Sequence, residues 1–488
     1  MSSAASEREG KDFGEVPVSI AIGGNIGDRL GNLHNGLQLM RAAGIKTVWT
    51  SNLYESAPAY VTDQPAFLNG VVEVRTGLAP LELLKTLKRV EAELGRDFGG
   101  QRFGPRPLDL DILYYGRGAN EVVMKTEVLE IPHPRISERG FVLQPLLDVL
   151  SKDSDRHGVS DKVRKMVAEG GTNPYAEKGT PPRLFEGIPP GLERVVPLNG
   201  ELRNPAKRVL IMGILNVTPD SFSDGGRYDD TEAAVSRARK MAEEGADIID
   251  VGGQSTRPGA TRLTTEEELA RVVPVIQRLA ADPERLHGAC LSIDTFDSKV
   301  ARATVEAGAH MVNDVSGGAL DPDMYSTVAD LRVPYVLMHM RGDPTNMQSK
   351  SNTTYSDVTA DVARELMPRI RAAMEAGVPA WNLILDPGVG FSKKGATNCQ
   401  LIRDIPKLRR ELAESGVYGL ADLPILIGPS RKKFLGDITR VKTPEERDVA
   451  TAAAVAVAME RGANIVRVHN VALIKQAIQV IETIKSPS

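Results

Sequence analysis

The chain has 488 residues, enough for roughly two to four domains, and its 41% apolar and 25% charged residues are typical of a folded globular protein. Its 60 Lys and Arg residues against 64 Asp and Glu residues leave a net charge of −4, which gives no general reason to expect nucleic-acid binding. The cysteines, Cys290 and Cys399, are too few for a disulfide framework and lack metal-ligand spacing.

The N-terminal stretch MSSAASEREGKDFGEV lacks the apolar segment of a secretory signal and is too acidic for an organellar presequence, so it predicts a disordered lead-in. The longest apolar run, ATAAAVAVAM around residue 455, is too short to span a bilayer and predicts a packed helix. We therefore expect a cytoplasmic or mitochondrial protein without a clear targeting peptide.

The first predicted domain, residues 16–165, alternates strand and helix patterns. Strands are predicted at VPVSIAIGGN, TVWTSNLYES, FLNGVVEVRTG and LDLDILYY, and helices at DRLGNLHNGLQLMRAAG and PLELLKTLKRVEAELG. The second helix places Leu81, Leu84, Leu87 and Val90 at three-residue steps, as one apolar helix face requires. The order βαββαβ predicts an α+β, ferredoxin-like domain.

The strand LDLDI carries two carboxylates, Asp109 and Asp111, which point to the same face because side chains alternate along a strand. Two interpretations are open: acidic residues turned to solvent, or two hard oxygen ligands for Mg²⁺. The flanking segments GRDFGGQRFGPRP and IPHPRISERGF add His133 and the arginines Arg96, Arg102, Arg106, Arg135 and Arg139. Guanidinium groups around a carboxylate pair suit a metal-bound polyphosphate, although the chain has no GxxxxGK[ST] phosphate loop.

Residues 166–192 are dense in Gly and Pro without a sustained apolar period and predict a linker, so that residues 193–488 form the second domain. There an apolar run, a loop and an amphipathic helix alternate repeatedly. The eight runs are VLIMGILN, ADIIDVGG, CLSIDT, AHMVND, PYVLMHM, NLILDPGVGF, LPILIGPSR and NIVRVHN. Eight such strands between helices predict an α/β TIM (β/α)8 barrel with its site at the strand ends.

Polar residues follow these runs, as a site at the strand ends requires. They are Asn216, Gly252–Arg257, Asp294, Asn313, His339, Asp386, Ser430–Lys432, Arg467 and His469. Any one of them is as readily a loop cap as a functional group. A ring of them predicts a ligand site.

Four segments in the first domain, AIGGNIGD, DQPAFLNG, RFGPRPLDLDI and PHPRISERGF, resemble the 6-hydroxymethyl-7,8-dihydropterin pyrophosphokinase family. The resemblance implies that Asp109 and Asp111 hold two Mg²⁺ bridging ATP, with Arg96 and Arg106 also catalytic. The implied ATP-binding residues are Glu91, Arg96, Arg102, Arg106, His133 and Arg139, and the implied pterin-binding residues are Phe67, Asn69 and Phe141. Phe98, Phe103 and Pro134 depart from the family's usual residues.

Seven segments of the second domain, MGILNVTPDSFSDGG, DVGGQSTRPGA, SIDT, VND, LDPGVGF, IGPSRKKFLG and IVRVHN, resemble dihydropteroate synthase over residues 207–482. The implied pterin contacts are Asp294, Asn313, Asp386 and Lys432, and the implied pyrophosphate and metal pocket contains Asn216 as a metal ligand, Thr256, Arg467 and His469. Phe391, Ser430 and Arg431 are implied on the p-aminobenzoate side, Arg257 in a closing loop, and Lys432 and Arg467 in catalysis. Gln254 and Asn470 replace acids that are frequent in bacterial relatives.

Together the two resemblances imply a bifunctional folate-biosynthesis enzyme, like those of plants and other eukaryotes, that makes pterin pyrophosphate and condenses it with p-aminobenzoate. They imply ATP as co-substrate, Mg²⁺ in both domains, small-molecule partners without nucleic acid or membrane, and a homodimer or higher oligomer through the barrel. One alternative is that one domain is a degenerate pterin-binding or scaffolding module, which the retained Asp109, Asp386 and Arg467 disfavour. Another is an unrelated phosphate-binding barrel, which LNVTPDSFSDGG and GPSRKKF disfavour.

Overall fold

The computed structural model of the chain describes residues 15–152, 154, 157–169, 188, 191–198, 201–204, 208–217, 227–255 and 262–485. These residues form two compact units, one within 1–195 together with 417–420, the other within 196–416 and 421–488. Most of the predicted disordered lead-in, most of the predicted linker, and Thr256 and Arg257 lie outside the described residues, while Val16 begins β1. The exact limits of the linker stay a prediction.

The first unit contains an antiparallel sheet with helices packed against it. Its elements are β1 (Val16–Gly24), α1 (Arg29–Ala42), β2 (Lys46–Thr50), β3 (Leu53–Ser56), β4 (Phe67–Thr76), α2 (Pro80–Glu93), β5 (Asp109–Tyr115), β6 (Met124–Lys125), β7 (Glu130–Ile131), α3 (Gly140–Asp148), α4 (Val159–Ala168) and the start of β8 (Leu192–Leu198). The strand order is β5-β1-β4-β3-β8, with β2 also paired to β4. The predicted ferredoxin-like fold is confirmed.

One predicted strand, TVWTSNLYES, is divided in the structure into β2 and β3. Ser51 lies at the division, where its Oγ accepts a hydrogen bond from the Val71 N–H at 2.9 Å in place of a main-chain acceptor. Next to it, Asn52 donates from its main-chain N and from Nδ2 to the buried Asp148 carboxylate, each at 3.0 Å. Side-chain hydrogen bonds of this kind compete with the strand ladder and interrupt it.

The pairing of β1 with β5 places the two carboxylates beside the end of β1. Asp109 lies opposite Gly23, while Leu110 and Ile112 face the core. Gly24 allows the two segments to approach closely, because a Cβ built on it would lie 2.2 Å from the Pro107 carbonyl oxygen. A glycine is therefore needed where β1 meets the segment that leads into β5.

The second unit begins with the end of β8 and β9 (Glu201–Arg203), followed by a repeating strand–helix pattern. Its further elements are β10 (Leu210–Asn216), α5 (Arg227–Glu243), β11 (Ile248–Gly252), α6 (Thr265–Ala280), β12 (Cys290–Asp294), α7 (Ser298–Glu306), β13 (Met311–Asp314), α8 (Met324–Leu331), β14 (Tyr335–Met338), α9 (Lys350–Thr353), α10 (Val358–Ala376), β15 (Leu383–Asp386), α11 (Ala396–Arg403), α12 (Ile405–Ser415), β16 (Leu426–Ile427), α13 (Lys433–Thr439), α14 (Asp448–Glu460), β17 (Ile465–Val468) and α15 (Val471–Lys485).

The strands β10 to β17 form a parallel sheet in the order β15-β14-β13-β12-β11-β10-β17-β16. A parallel bridge between Leu385 and Ile425 joins β15 to the residues just before β16, and the Leu385 N–H donates to the Pro424 carbonyl at 2.9 Å. The predicted TIM barrel is confirmed, and each of the eight apolar runs contains one strand.

The barrel interior is apolar toward the strand starts, which leaves the strand ends to polar groups. Buried side chains from successive strands form one core layer: Leu210, Met212, Ile248, Cys290, Met311, Val336, Ile384, Leu426 and Ile465. The run ATAAAVAVAM lies in α14, whose Thr451, Val455, Ala458 and Met459 are buried, as predicted. Within the part of the chain that the structure describes, no helix has both the length and the hydropathy to cross a membrane.

Candidate active sites

A cleft lies beside the carboxylate-bearing face of β5 in the first unit. Its lining includes seven of the predicted site residues: Phe67, Asn69, Arg106, Asp109, Asp111, Arg139 and Phe141. The structure therefore brings predicted pterin-stacking, phosphate-binding and metal-binding groups to one cavity. Glu91, Arg96, Arg102 and His133 are not among its lining residues.

The two carboxylates of β5 differ in their partners. Asp109 forms ion pairs with Arg96 and with Arg106, the latter at 3.0 Å between Oδ2 and Nη2. The Asp111 carboxylate has no hydrogen bond or ion pair with any residue that the structure describes. Against the effect of burial, the two guanidinium groups lower the pKa of Asp109, whereas burial and the charge of Asp109 raise the pKa of Asp111. Asp111 is thus the carboxylate that an added cation would stabilise most.

The donor set fits Mg²⁺ that is shared with a substrate. In the described ranges, no three His, Cys, Asp or Glu side chains are grouped so that they could hold a metal. Mg²⁺ commonly keeps several waters and takes one or two carboxylates together with substrate phosphates. Asp109 and Asp111 could supply those carboxylates, with the remaining ligands coming from water and from a polyphosphate.

Glu91 of α2 is fully buried beneath this pair. Its Oε1 accepts from Lys88 Nζ at 2.6 Å and from the Leu110 N–H at 2.7 Å, and its Oε2 pairs with Arg96 at 2.7 Å. Glu91 thereby ties α2 to β5 and holds Arg96 next to Asp109. A direct contact between Glu91 and ATP, as the resemblance implies, would require the carboxylate to leave these partners.

An arginine that was predicted to bind phosphate lies over each of the two rings that were predicted to stack on the pterin. Arg106 lies over Phe67 at 5.1 Å from the ring centroid, and Arg139 lies over Phe141 at 5.7 Å. Asn69 is anchored by a hydrogen bond from its Nδ2 to a main-chain carbonyl of β3 at 3.2 Å. Because cation–π contacts are modest in energy, a planar ligand and a phosphate could replace them.

A second aromatic group beside the cleft was missed by the sequence analysis. Tyr60 stacks on Phe103 with ring centroids 4.5 Å apart, and Arg135 lies over both rings at 5.6 and 5.3 Å. Arg139 Nε donates to the Tyr60 hydroxyl at 3.3 Å, and, against the effect of burial, Arg139 and Arg135 lower the Tyr60 pKa. Nothing in the motif APAYVTDQP marks Tyr60, because its partners come from a distant part of the sequence.

Three further residues lie at the edge of this group. Arg102 is exposed and lies over Phe103 at 5.0 Å, and the half-exposed Phe98 carries Arg96 over its ring at 5.3 Å. His133 accepts the Arg135 N–H through Nδ1 at 3.2 Å, and burial lowers its pKa. The predicted ATP contacts of Arg102 and His133 stay predictions.

In the barrel, Arg467 lies between two buried carboxylates at the strand ends. Its Nε donates to Asp250 Oδ2 at 2.6 Å and its Nη2 donates to Asp294 Oδ2 at 2.7 Å. Asn313 Nδ2 also donates to Asp250 Oδ2, at 2.8 Å. Asp250, which the sequence analysis did not select, thus joins two predicted residues, Asn313 and Arg467. Its signal was that it is the second carboxylate of the apolar run ADIIDVGG and the first residue of the segment DVGGQSTRPGA.

The second oxygens of these carboxylates, Oδ1 of Asp250 and Oδ1 of Asp294, are buried and have no hydrogen-bond partner in the described structure. Burial raises the pKa of Asp294 to about 7 even though Arg467 acts to lower it. Against burial, the two carboxylates raise the pKa of Arg467. An unpaired buried acceptor costs roughly 1–3 kcal/mol, so these oxygens are suited to accept from the N–H groups of a ligand.

Lys432 and Asp386 lie next to this group. Lys432 Nζ donates to the Val389 carbonyl and lies 4.5 Å from the centroid of the Phe391 ring. Burial lowers the pKa of Lys432 to about 8 and raises that of Asp386, whose Oδ1 accepts the N–H of Gly388 at 2.7 Å. A Cβ on Gly428 would lie 3.8 Å from Lys432 Nζ and 3.7 Å from Arg467 Cβ, so the two cationic residues border one space.

The remaining predicted residues of the loop after β16 have partners of their own. Ser430 Oγ lies 2.9 Å from His469 Nδ1. Arg431 donates to both oxygens of Asp448, at 2.7 and 2.9 Å, and Asn470 Nδ2 donates to the same carboxylate at 2.9 Å. The Arg431 guanidinium, which was predicted to contact p-aminobenzoate, is therefore hydrogen-bonded to Asp448. Its contact with p-aminobenzoate stays a prediction.

Asn216 lies at the end of β10, paired with Gly252 of β11. It offers one neutral amide oxygen, so a Mg²⁺ in the barrel would take its other ligands from water and a substrate diphosphate. Gln254 Nε2 donates to the buried Glu268 at 3.3 Å. Thr256 and Arg257, predicted in the adjoining loop, lie outside the described residues.

Family models match both units. The model described as 7,8-dihydro-6-hydroxymethylpterin-pyrophosphokinase matches residues 19–151, and the model described as pterin binding enzyme matches residues 212–469. The chain is 48% identical to a mitochondrial folate synthesis bifunctional protein of Pisum sativum, with 96% of this chain and 89% of that protein covered. It is 46% identical to an Arabidopsis thaliana folate synthesis bifunctional protein, with 93% of each covered.

Solved structures support the same division. A Xanthomonas albilineans dihydropteroate synthase bound to 4-aminobenzoic acid is 43% identical and has a TM-score of 0.53, covering 60% of this chain and 99% of that one. A Plasmodium falciparum HPPK-DHPS structure covers 97% of this chain and 96% of that one with a TM-score of 0.74. At 20% identity, the latter supports the fold alone.

Proposed function

The chain belongs to the family of bifunctional folate synthesis proteins, and from this premise we propose which of its residues perform the two reactions. The first unit is a pyrophosphokinase that uses ATP, and the second is a dihydropteroate synthase. The residue roles that follow are supported by the contacts in the two sites.

In the pyrophosphokinase reaction, the hydroxyl oxygen of 6-hydroxymethyl-7,8-dihydropterin bonds to the β-phosphorus of ATP, and AMP leaves. Phe67 and Phe141 stack on the pterin and Asn69 holds its edge, which fixes the hydroxyl for attack. Asp109 and Asp111 would hold Mg²⁺, which neutralises charge on the polyphosphate when bound. Arg96, Arg106 and Arg139 bind the phosphate oxygens, and Arg106 and Arg139 do so by leaving the aromatic rings that they now cover.

In the synthase reaction, the carbon–oxygen bond to pyrophosphate breaks and the amine nitrogen of p-aminobenzoate bonds to the pterin methylene. Asp294 and Asp386 accept from pterin N–H groups, and Lys432 donates to the pterin carbonyl oxygen. Arg467 Nη1, which has no hydrogen bond to any described residue, faces the diphosphate together with His469. Phe391 and Ser430 line the arylamine side.

The observation that carries the pyrophosphokinase assignment is the unpartnered Asp111 beside the paired Asp109. Asp111→Asn removes a metal ligand without leaving any arginine unpaired, so the variant should stay folded. We expect AMP formation to fall at least about a hundredfold, since metal stabilisation of the transition state is worth several kcal/mol. Dihydropteroate formation from supplied pterin pyrophosphate and p-aminobenzoate should persist.

The measurement is a coupled assay with hydroxymethyldihydropterin, ATP, Mg²⁺ and p-aminobenzoate that follows AMP and dihydropteroate separately. Glu127→Gln, which changes an exposed acid of the same unit, is the control. Wild-type rates of AMP formation by folded Asp111→Asn would restore the interpretation of β5 as an acidic face turned to solvent.

Exposed apolar residues on two helices of the barrel indicate how the chain could form an oligomer. Val449 and Val457 of α14, and Val480 and Ile484 of α15, are exposed apolar residues on neighbouring helices of the barrel. We propose that a second copy of the chain covers them, which gives a homodimer or higher oligomer.

A cytoplasmic or mitochondrial compartment is proposed because two of the similar plant proteins are named as mitochondrial. Cell fractionation tests this proposal.

A further inference from the structure

Lys393, in the loop after β15, is a buried lysine that has no assigned role. Its side chain is 2% exposed, and its Nζ has three acceptors within reach: His339 Nδ1 at 2.8 Å, the His339 carbonyl at 3.3 Å and the Phe391 carbonyl at 3.0 Å. Three acceptors can take the three protons of an ammonium group. Burial of a charged lysine is tolerated only when its protons are satisfied in this way.

His339 sets the direction of the first of these hydrogen bonds. Its Nε2 lies 2.9 Å from Glu365 Oε2, a carboxylate acceptor, so Nε2 carries the ring proton. Burial lowers the pKa of His339 to about 3, and the neutral ring therefore presents the Nδ1 lone pair to Lys393. Arg341 holds Glu365 in turn, with Nε at 3.1 and 3.0 Å from its two oxygens. Arg341, Glu365, His339 and Lys393 thus form one series of hydrogen bonds, in which His339 and Lys393 are buried.

Burial and the carboxylate of Asp386 have opposite effects on the charged form of Lys393. Burial lowers the pKa of Lys393 well below its ordinary value, and the carboxylate of Asp386 acts in the opposite direction. The three acceptors add to the effect of Asp386 because none of them can donate to Nζ. The ammonium form is the one that fits the geometry.

The series of hydrogen bonds from Arg341 to Lys393 ends at the residues that surround Lys432. Lys393 holds the Phe391 carbonyl, while the Phe391 ring lies over Lys432 and the Val389 carbonyl accepts from Lys432. The same loop is also fixed by the Arg341 N–H, which donates to Ser392 Oγ at 3.1 Å. The position of Phe391 therefore depends on the side chain of Lys393.

We propose that Lys393 is a positioning residue of the synthase site, which fixes the Val389–Ser392 loop so that Phe391 and the Val389 carbonyl meet Lys432. The inference rests on the proposed synthase function and extends it to the way in which the p-aminobenzoate side is held. Unlike a purely structural role, the positioning role of Lys393 predicts a change in the kinetic constants of the synthase reaction.

Lys393→Met removes all three hydrogen bonds while keeping most of the side-chain volume. The groups that bind p-aminobenzoate stay present but lose their position, so KM for p-aminobenzoate should rise about tenfold while kcat changes by less than about threefold. Lys394→Met is the matched control, because the neighbouring lysine is exposed and should leave KM unchanged. AMP formation by the first unit gives the concentration of chain in each sample, and thermal unfolding shows whether the barrel of each variant is folded.

A second pair of variants covers the case in which Lys393→Met does not fold. His339→Asn keeps an acceptor near the Nδ1 position and should keep KM near the wild-type value. His339→Leu removes that acceptor and should raise KM in the same way as Lys393→Met. Restoration by Asn but not by Leu identifies the hydrogen bond, rather than the packing volume, as the cause.

Different results would overturn the two proposals. Unchanged KM in folded Lys393→Met, or equal KM values for His339→Asn and His339→Leu, would overturn the positioning role while leaving the synthase function intact. A wild-type chain that forms AMP but no dihydropteroate from supplied pterin pyrophosphate would overturn the synthase function, and the inference with it.

Discussion

Two amide side chains of the barrel each lie against a carboxylate. Gln254 Nε2 donates to Glu268 Oε2 at 3.3 Å, and Asn470 Nδ2 donates to Asp448 Oδ2 at 2.9 Å. An acid at either position would face a second acid at hydrogen-bond distance, and like charges so close cannot both ionise without a large cost. The amides of Gln254 and Asn470 are therefore suited to their neighbours in this chain.

Glu268 provides a test of these electrostatics through pH. Burial raises its pKa to about 7, above the unfolded value, so its contribution to stability is fully present below about pH 4.5 and is lost as pH rises through about 7. Glu268→Gln should remove this dependence. Relative to the variant, the wild-type barrel should lose about 3 kcal/mol of unfolding free energy between pH 4.5 and 7, the energy of a shift of roughly 2.5 pH units.

Calorimetric or denaturant unfolding of both proteins across this pH range measures the difference. Glu266→Gln changes an exposed acid on the same helix and should run parallel to the wild type. Parallel curves for Glu268→Gln and the wild type would mean that folding does not change the pKa of Glu268.

At the scale of single residues, sequence motifs predicted which groups would meet but not how they would be held. Asp294, Asn313 and Arg467 come from separate strand ends and lie together as a barrel requires. The roles of Asp250 and Lys393 were missed because Asn313, Arg467 and His339, with which they form hydrogen bonds, are far away in sequence. Arg431 lies within a motif, yet its partner Asp448 is the first residue of α14.

At the scale of elements, the contact between β1 and the segment before β5 holds the carboxylate pair in place. The Asn25 N–H donates to the Arg106 carbonyl at 3.0 Å, and the Arg106 N–H donates to Asn25 Oδ1 at 2.9 Å. Two hydrogen bonds in opposite directions fix the start of β5 against the end of β1. Gly24 permits this approach, as its missing Cβ would meet Pro107.

Gly24→Ala should therefore push these segments apart. The new Cβ would lie 2.2 Å from a main-chain oxygen, which cannot move as a flexible side chain does. We expect a loss of roughly 1–3 kcal/mol in the stability of the first unit and a clear fall in AMP formation, with dihydropteroate synthesis unchanged. Thermal unfolding and the two activities measure these effects.

Gly99→Ala is the matched control in the same unit, because its new Cβ would meet nothing closer than the Asp97 side chain at 3.4 Å. If Gly24→Ala and Gly99→Ala behave alike, the close approach at β1 does not position the carboxylates.

The helices and strands could be predicted where apolar residues recur at the spacing of a strand or a helix. All eight barrel runs and the βαββαβ order rest on apolar patterns of strand or helix length. The division of TVWTSNLYES into β2 and β3 was not predictable, since Ser51 and Asn52 interrupt the strand through partners on β4 and α3. Local patterns carry no information about such distant partners.

At the scale of the whole molecule, one chain carries two sites whose reactions follow each other, because the product of the first is the substrate of the second. Each site is built within its own unit: the carboxylates of β5 in the first, and the strand ends of the barrel in the second. A change that affects one activity alone is therefore the expected pattern for variants in either site. A change in the oligomer should appear instead in the barrel's hydrodynamic size and stability.

The exposed apolar residues of α14 and α15 give the prediction at this scale. Val457 and Val480 are 45% and 59% exposed, and a lysine at either position adds a charge that a covered apolar interface cannot accept. Val457→Lys and Val480→Lys should each lower the oligomeric state or weaken it by at least about tenfold in dissociation constant, the effect of roughly 1.4 kcal/mol. Sedimentation equilibrium over a range of concentrations measures this, with Val128→Lys, an equally apolar change at a 72% exposed position of the first unit, as the control. An oligomer that persists unchanged in both barrel variants, or a wild-type chain that sediments as a monomer, would show that α14 and α15 do not form the interface.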